Sequence, residues 1–386
     1  MDVLRPPLIN IKGRIYRRNI IQEEHNEEVE EEDLSYTGPL EGDEFEDEAC
    51  DAHVIEQTNK GFRCAFDVPS VLYKYIIGKK GETRRRLECD TKTSISIPKQ
   101  GVEGQIVITG SHRASVSSAA TRIEVLTESF RKKQPFTHFL SFPLNGPEIQ
   151  EGFLRFKEDV LKQCSQDHGV EESIFQNPAK LHLTIGTFAL LNEKEVKKAG
   201  EHLRECENVI RDLTEGKPLQ LEVTGIEYMN DDPAMVDVLY AKVDVTDRSD
   251  RWAGGRRRLP FGSSLSFLRE VSVDADLASA SRLQVIAGRL AEHFVAAGLM
   301  VRERERVKLH GTVMNTLFRR DSSVEDAGGP GRRTLSEREA FDARNILKRF
   351  GAHRFGAFRL NSVLLSTRYS SDCTGYYASA GSITFS

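Results

Sequence analysis

Two short triplets of the same kind carry side chains that could do acid–base chemistry. His182-Leu183-Thr184 and His310-Gly311-Thr312 are its two histidine-x-threonine triplets, and each is followed by an apolar residue. Alternate side chains of a β-strand share a face, so each histidine is expected beside its threonine. Two imidazoles can act as base and acid at a phosphodiester, because imidazole titrates near neutral pH. The threonine hydroxyls would donate hydrogen bonds to the phosphate oxygens, where charge develops. We therefore predict His182, Thr184, His310 and Thr312 as catalytic residues.

Other roles are open to these side chains. A histidine on a strand is more often a buried core residue than a catalyst, and a pair of histidines also occurs in metal sites. No third ligand with suitable spacing accompanies the pair, so we expect neither a metal nor another cofactor. Which histidine is the acid and which the base does not follow from the sequence. Tyr240 and Phe188 are candidates to stack on a base, with core packing as the alternative.

A glycine-rich turn with basic residues forms a second candidate site. G-x-x-G occurs at residues 78–81, 101–104 and 328–331, and only the first lies between two predicted helices. Glycines let the backbone approach a sugar-phosphate chain, and the start of the next helix offers free N–H groups to phosphate. We predict a nucleic-acid-binding surface that consists of Ile77, Gly78, Lys79, Lys80, Gly81, Arg84 and Arg85.

The order of predicted elements indicates an α+β protein with two folded domains. Residues 53–131 contain strand, helix, turn, helix, two strands and a long helix. In residues 132–386 helices and strands alternate, including one predicted helix over 193–213 and a strand over 307–314. Glycine- and serine-rich stretches at 248–281 and 321–334 are expected to be mobile insertions.

Charge is distributed unevenly along the chain. Residues 23–48 hold 14 acidic residues and no lysine or arginine, and the rest of the chain has 45 acidic and 54 basic residues. We therefore expect residues 1–52 to combine a partner-docking segment with a disordered acidic tail, ahead of a basic body that binds polyanions. No apolar run is long enough to cross a bilayer, so no membrane association is expected. Six scattered cysteines without C-x-x-C spacing argue against a disulfide framework or a zinc knuckle.

These features resemble two known families. The I-I-G-K-K-G run in its helical setting is similar to a type I KH domain, which implies binding of single-stranded RNA or DNA. The two H-x-T triplets resemble those of the two-histidine (2H) phosphoesterases, and this resemblance implies a bilobal domain that cleaves phosphodiesters. KH and 2H domains in this order resemble a subunit of a helicase-containing complex. The resemblance implies a helicase subunit as partner, a nuclear location (with a cytoplasmic fraction allowed), and roles in transcription coactivation and alkylation repair.

Two functions of different classes remain after this reasoning. The first is a metal-independent phosphodiesterase that acts on RNA or oligonucleotides through His182 and His310. The second is a nucleic-acid-binding regulatory subunit whose 2H cleft holds ends or nucleotides without turnover. The presence of both histidines and both threonines favours the enzyme.

Overall fold

The computed structural model describes residues 8–11, 14–17, 53–245, 282–301, 304–323 and 338–385. The chain divides into two compact units, Met1–Arg131 and Lys132–Ser386. Most of the predicted insertions and the acidic tail lie outside the described residues. So does nearly all of the predicted docking segment, apart from the backbone of two short paired strands, β1 (Leu8–Ile11) and β2 (Arg14–Arg17).

The first unit contains a four-stranded antiparallel sheet and three helices. The elements in chain order are β3 (Ile55–Thr58), β4 (Gly61–Asp67), α1 (Tyr73–Ile77), α2 (Glu82–Thr91), β5 (Thr93–Ser96), β6 (Gln105–Gly110) and α3 (Arg113–Lys132). The strand order is β3-β4-β6-β5. α3 has a buried stripe at Val116, Ala119, Ala120 and Ile123, the spacing of an amphipathic helix.

The predicted order of helices and strands in this unit is confirmed, except that the first strand was missed. This strand, β3, comes before the first predicted strand and pairs with β4 along its length. Of its four residues only Ile55 is buried, so the strand lacks the apolar pattern by which a strand is recognised.

The second unit is one eight-stranded sheet with five helices among the described residues. The elements are β7 (His138–Pro143), α4 (Pro147–Cys164), β8 (His182–Phe188), α5 (Glu193–Glu205), α6 (Glu207–Thr214), β9 (Leu219–Tyr228), β10 (Val238–Val245), α7 (Arg282–Ala296), β11 (Gly311–Asn315), α8 (Arg344–Phe350), β12 (Arg354–Leu360), β13 (Ser362–Ser371) and β14 (Tyr377–Thr384).

The sheet consists of two halves that meet at its centre. The strand order is β12-β9-β10-β11-β8-β7-β13-β14. β11 and β8 join the halves through a single registered pair, Gly311 with Leu183, whereas neighbours within each half pair over several residues. The α+β prediction with a bilobal second domain is therefore confirmed.

Helix α4 shows how closely the helices pack on this sheet. Ile149, Phe153, Phe156 and Val160 are buried at helical spacing. A Cβ on Gly152 would overlap the backbone of Phe355 in β12, so only glycine fits there.

Three details of this unit differ from the sequence prediction. The helix expected over 193–213 is two helices, α5 and α6, which meet at Cys206. The strand expected over 307–314 begins only at Gly311. Three elements near the C-terminus, α8, β12 and β14, were not predicted. Within the described ranges, no helix is long and apolar enough to span a membrane.

Candidate active site

The central strands bring the two triplets together. β8 starts at His182, β11 starts one residue after His310, and the two strands are antiparallel neighbours. The register of Gly311 with Leu183 sets Thr312 across from His182 and His310 across from Thr184. Because side chains alternate, these four lie on one face, and Leu183 and Gly311 on the other. Leu183 is fully buried, whereas the four predicted catalytic side chains are partly exposed.

Each imidazole is held in the same way by its own chain. His182 Nδ1 lies 2.7 Å from the backbone oxygen of Lys180, and His310 Nδ1 lies 2.7 Å from that of Lys308. A carbonyl oxygen only accepts, so both Nδ1 atoms carry the proton and Nε2 is the ring nitrogen left for proton transfer.

The two histidines differ in how strongly they hold a proton. Burial lowers the pKa of His182 to about 4. The Lys180 carbonyl opposes this shift, and the nearby His310 adds to it. Burial also lowers the pKa of His310, opposed by the Lys308 carbonyl and assisted by the positive charges of Lys308 and Arg304. His182 and His310 lie on the same face of neighbouring strands, which is why the charge of His310 acts on His182.

Lysine and tyrosine complete each half of the site. Lys180 Nζ lies 5.1 Å from the ring centre of Tyr377, and that ring is 5.4 Å from the His182 ring. In the other half Lys308 Nζ lies 5.0 Å from the Tyr240 ring, which is 5.5 Å from the His310 ring. Both tyrosines meet the imidazoles edge to face. The cleft therefore has a cation and an aromatic ring beside each histidine.

The two lysines were missed in the sequence, although a signal for them exists. Both triplets extend to Lys-Leu-His-x-Thr, at residues 180–184 and 308–312. Tyr377 has no such signal, since it comes from β14 at the edge of the sheet.

The two aromatic residues proposed to stack on a base, Phe188 and Tyr240, have different surroundings in the structure. Phe188 is buried against Phe294 and belongs to the core. Tyr240 is also largely buried, and its hydroxyl donates to Glu227 Oε2 at 2.9 Å. Burial and this bond raise the pKa of Tyr240 to about 12, so it stays protonated. Tyr240 lines the site beside His310, but it is anchored rather than free to stack.

Within the described part of the chain, the histidine pair has no third partner for a metal. Among the residues that the structure describes, no carboxylate, cysteine or further histidine lies close enough to His182 and His310 to complete a three-ligand group. A threonine hydroxyl is a poor substitute for such a ligand. The donor set therefore suits proton transfer and hydrogen bonding to phosphate.

The glycine-rich turn has a backbone that depends on glycine. Gly78 and Gly81 have φ of 68° and 79°, and Lys80 between them has φ of 51°. A Cβ on Gly78 would overlap the side chain of Thr83, whereas Gly81 faces open space. Lys79 and Lys80 are exposed, and α2 starts immediately after Gly81. The turn thus presents two ammonium groups next to a helix N-terminus, as phosphate binding requires.

The arginines after the turn are not equivalent. Arg85 is exposed. Arg84 is half-buried, and its Nε and NH2 both lie 3.2 Å from Glu88 Oε1. Glu88 Oε1 also accepts from the Ile95 amide at 2.7 Å. The Arg84 guanidinium is therefore held by Glu88 on the same helix, and Arg85 is the better placed of the two arginines to contact a phosphate.

Sequence comparisons agree with both units. The profile of the AKAP7 2'5' RNA ligase-like domain matches residues 136–257 and 270–385, and a KH-domain profile matches residues 63–125. The chain belongs to the AKAP7 2'5' RNA ligase-like family of 2H phosphoesterases. The resemblances stated from the residues, to KH and 2H domains, are confirmed by these matches. The interruption of the 2H match, at 258–269, falls inside the predicted insertion of 248–281.

Two curated proteins are similar to this 2H phosphoesterase-like chain. Activating signal cointegrator 1 complex subunit 1 of Mus musculus is 49% identical over 391 residues, which cover 100% of both chains. Uncharacterized protein C15D4.13c of Schizosaccharomyces pombe is 27% identical over 120 residues, which cover 31% of this chain and 55% of that protein. The first relative therefore shares both the KH and the 2H unit.

Proposed function

We propose that this protein is an RNA-binding, metal-independent phosphodiesterase that cleaves RNA or oligonucleotides by two-histidine acid–base catalysis. One observation carries the proposal. On adjacent central strands, His182 and His310 each bind their own backbone through Nδ1 at 2.7 Å, which leaves Nε2 of both rings for the substrate. Two histidines that only filled the core would not be expected to share the same Nδ1 bond on adjacent strands. The threonine on each strand supplies a hydroxyl on the same face.

The roles of the two histidines follow from their proton affinities. His182 has a pKa of about 4, so it is neutral above that pH and suits the base. Its Nε2 would take the proton of a ribose 2′-OH, whose oxygen forms a bond to phosphorus. His310, in its protonated form, would give its Nε2 proton to the leaving 5′ oxygen as the P–O5′ bond breaks. The products are a 2′,3′-cyclic phosphate and a 5′-OH end.

The surroundings of the pair favour the charge that this reaction develops. The hydroxyls of Thr184 and Thr312 would donate hydrogen bonds to the non-bridging oxygens in the transition state. Lys180 and Lys308 add positive charge beside the two imidazoles. A bound phosphate also favours protonated histidine, so substrate binding raises the pKa of His310 toward the range in which it can act as an acid.

Product analysis tests this function directly. Labelled single-stranded RNA, single-stranded DNA and 2′,5′-linked oligoadenylate are incubated with the protein in excess EDTA. We expect RNA to be cut to 2′,3′-cyclic phosphate ends and DNA, which lacks the 2′-OH, to stay intact. The control is the double variant His182→Ala/His310→Ala. If wild type and double variant are equally inert while both bind RNA, the protein is a binding subunit and the catalytic proposal fails.

The pH dependence of cleavage gives a second prediction. In the free enzyme kcat/KM should rise with pH through about 4, as His182 loses its proton and becomes a base. The value of kcat/KM should fall again at higher pH, as His310 loses its proton. This fall should occur below the ordinary imidazole pKa, because the pKa of His310 is lowered. We therefore expect an acid-shifted, bell-shaped profile of kcat/KM.

A matched pair of variants assigns the limbs of that profile. The charge of Lys308 lowers the pKa of His310, so Lys308→Met should move the alkaline limb to higher pH. Lys180 affects the pKa of His182 through its backbone carbonyl, and Lys180→Met leaves that carbonyl in place. This variant should therefore move neither limb. An alkaline limb that stays in place in Lys308→Met would remove His310 from the role of acid.

Lys180→Met should still weaken substrate binding. An ammonium that touches the phosphate in ground state and transition state alike changes KM more than kcat. We expect KM to rise about tenfold, which corresponds to a charge contact of about 1.4 kcal/mol. The control is Lys157→Met, which removes a lysine that likewise lies over an aromatic ring, Phe175, and is paired with Glu172. Equal KM values in the two variants would contradict a role for Lys180.

The similarity to a complex subunit supports a partner for this chain. By its name, the mouse relative belongs to the activating signal cointegrator 1 complex, and its similarity covers the whole of this chain. We propose that this chain is also a subunit of such a complex, with a helicase subunit as partner and a nuclear location, and that residues 1–52 dock it. Deletion of residues 1–52 should abolish pull-down of the helicase but leave RNA cleavage unchanged. Retained pull-down would exclude these residues as the docking segment.

A further inference from the structure

A second histidine cluster lies between two helices of the 2H unit. His202 and Glu205 lie three residues apart on α5, and His293 reaches them from α7. One ligand atom from each side chain lies within 4.8 Å of the other two. Among the residues the structure describes, this is the group of three such side chains that comes close enough to hold an ion. It shares no residue with the catalytic pair.

Distances within the cluster fit a tetrahedral ion. Glu205 Oε2 lies 3.0 Å from His202 Nδ1 and 3.3 Å from His293 Nε2. Bonds of about 2.0–2.1 Å at tetrahedral angles hold neighbouring ligand atoms about 3.3 Å apart. Two edges of the coordination triangle are therefore nearly formed. The third edge, between the two imidazole nitrogens, is no longer than 4.8 Å.

The deepest ligand is also the one whose bonding is incomplete. His293 Nε2 is shielded from solvent and has no hydrogen bond of good geometry, although Glu205 Oε2 is near. A buried ring nitrogen without a partner is costly, and a metal bond would satisfy it. Cys206 follows Glu205 in the chain, but its thiol donates to the His202 carbonyl oxygen at 3.4 Å and is not part of the converging group. Water would take the fourth position.

We propose that His202, Glu205 and His293 form a zinc site that links α5 to α7. Two imidazoles and one carboxylate are a ligand set that Zn²⁺ accepts with an open fourth position. The ordinary alternative is a hydrogen-bonded group in which Glu205 accepts from both imidazoles. A bound ion would fasten two helices that come from distant parts of the chain, and its effect would be on stability.

Metal titration of the full chain tests the site. The protein is stripped with a chelator, dialysed and titrated with Zn²⁺ by calorimetry and with Co²⁺ by visible absorption, which reports tetrahedral coordination. We expect one tight site per chain and a higher Tm when Zn²⁺ is added. His293→Ala and Glu205→Gln should each weaken binding by at least about tenfold, the lower end of the loss seen even for outer-shell partners. Glu205→Gln preserves shape, so it remains informative if His293→Ala fails to fold.

Two controls separate this site from other histidines. The double variant His182→Ala/His310→Ala should bind Zn²⁺ as wild type does. His168→Ala removes an exposed histidine that lies 3.8 Å from Glu339 and should also change nothing. If Glu205→Gln binds Zn²⁺ as tightly as wild type, or if wild type binds none, the cluster is only a hydrogen-bonded group. Because cleavage is assayed in EDTA, failure here leaves the proposed activity standing.

Discussion

Replacing either histidine of the proposed catalytic pair by alanine is expected to slow RNA cleavage in EDTA by about 10²- to 10⁴-fold, the range that a single acid or base role contributes. Without His182 no group takes the proton of the 2′-OH. Without His310 the 5′ oxygen leaves as an unprotonated alkoxide. Substrate binding should change little, because each missing contact is made chiefly in the transition state. The measurement is single-turnover cleavage of labelled RNA at the pH optimum.

The two losses should not add. Once one proton transfer is missing, the concerted displacement is lost, and removal of the second histidine has little further effect. The double variant should therefore be about as slow as the slower single variant. His168→Ala serves as the control, since His168 is exposed and outside the cleft. A single variant with wild-type kcat would show that its histidine is structural.

The triplets could be predicted from the sequence because their geometry is local. A histidine and a threonine two residues apart share a strand face whatever the rest of the fold does. Their meeting depends on one long-range pair, Gly311 with Leu183, which local patterns do not encode. The start of β11 was predicted too early for a related reason. Residues 307–310 have a strand-like sequence, but β11 pairs with β8 only at Gly311.

The rest of the cleft could be predicted only in part. Lys180 and Lys308 were readable as a repeated Lys-Leu-His-x-Thr pattern. Tyr377 reaches His182 from β14, and no spacing rule connects a residue of an edge strand to a triplet so far away in the chain. The proposed zinc site could likewise be predicted only in part from the sequence. His202 and Glu205 are readable as neighbours on one helix face, but His293 comes from a helix that the sequence places elsewhere.

The pKa difference between the histidines also depends on tertiary structure. Two triplets of the same type predict two equivalent imidazoles. Burial lowers the pKa of both, to about 4 for His182, and the charges of Lys308 and Arg304 lower the pKa of His310 further. The proposed assignment of His182 as base and His310 as acid therefore needs the packed sheet.

In the KH unit, Gly81→Asp is expected to weaken RNA binding by about tenfold or more. A carboxylate about 4 Å from an RNA phosphate costs about 1 kcal/mol in water and up to about 4 kcal/mol near a protein surface. Gly81 lies next to Lys79, Lys80 and the start of α2, so the new charge opposes the groups that would hold the backbone. Each lost phosphate contact should also reduce the salt slope by about 0.7. Both quantities come from binding titrations at several salt concentrations.

The chain contains a closely matched control for this variant. Gly101 also belongs to a G-x-x-G sequence, has φ of 81° against 79° for Gly81, and likewise faces open space. Gly101→Asp therefore carries the same backbone strain and the same charge, but it lies in a loop between β5 and β6 rather than at a helix N-terminus. It should bind RNA nearly as wild type does. Equal loss in the two variants would mean that charge alone weakens binding, and the glycine-rich turn would have no specific role.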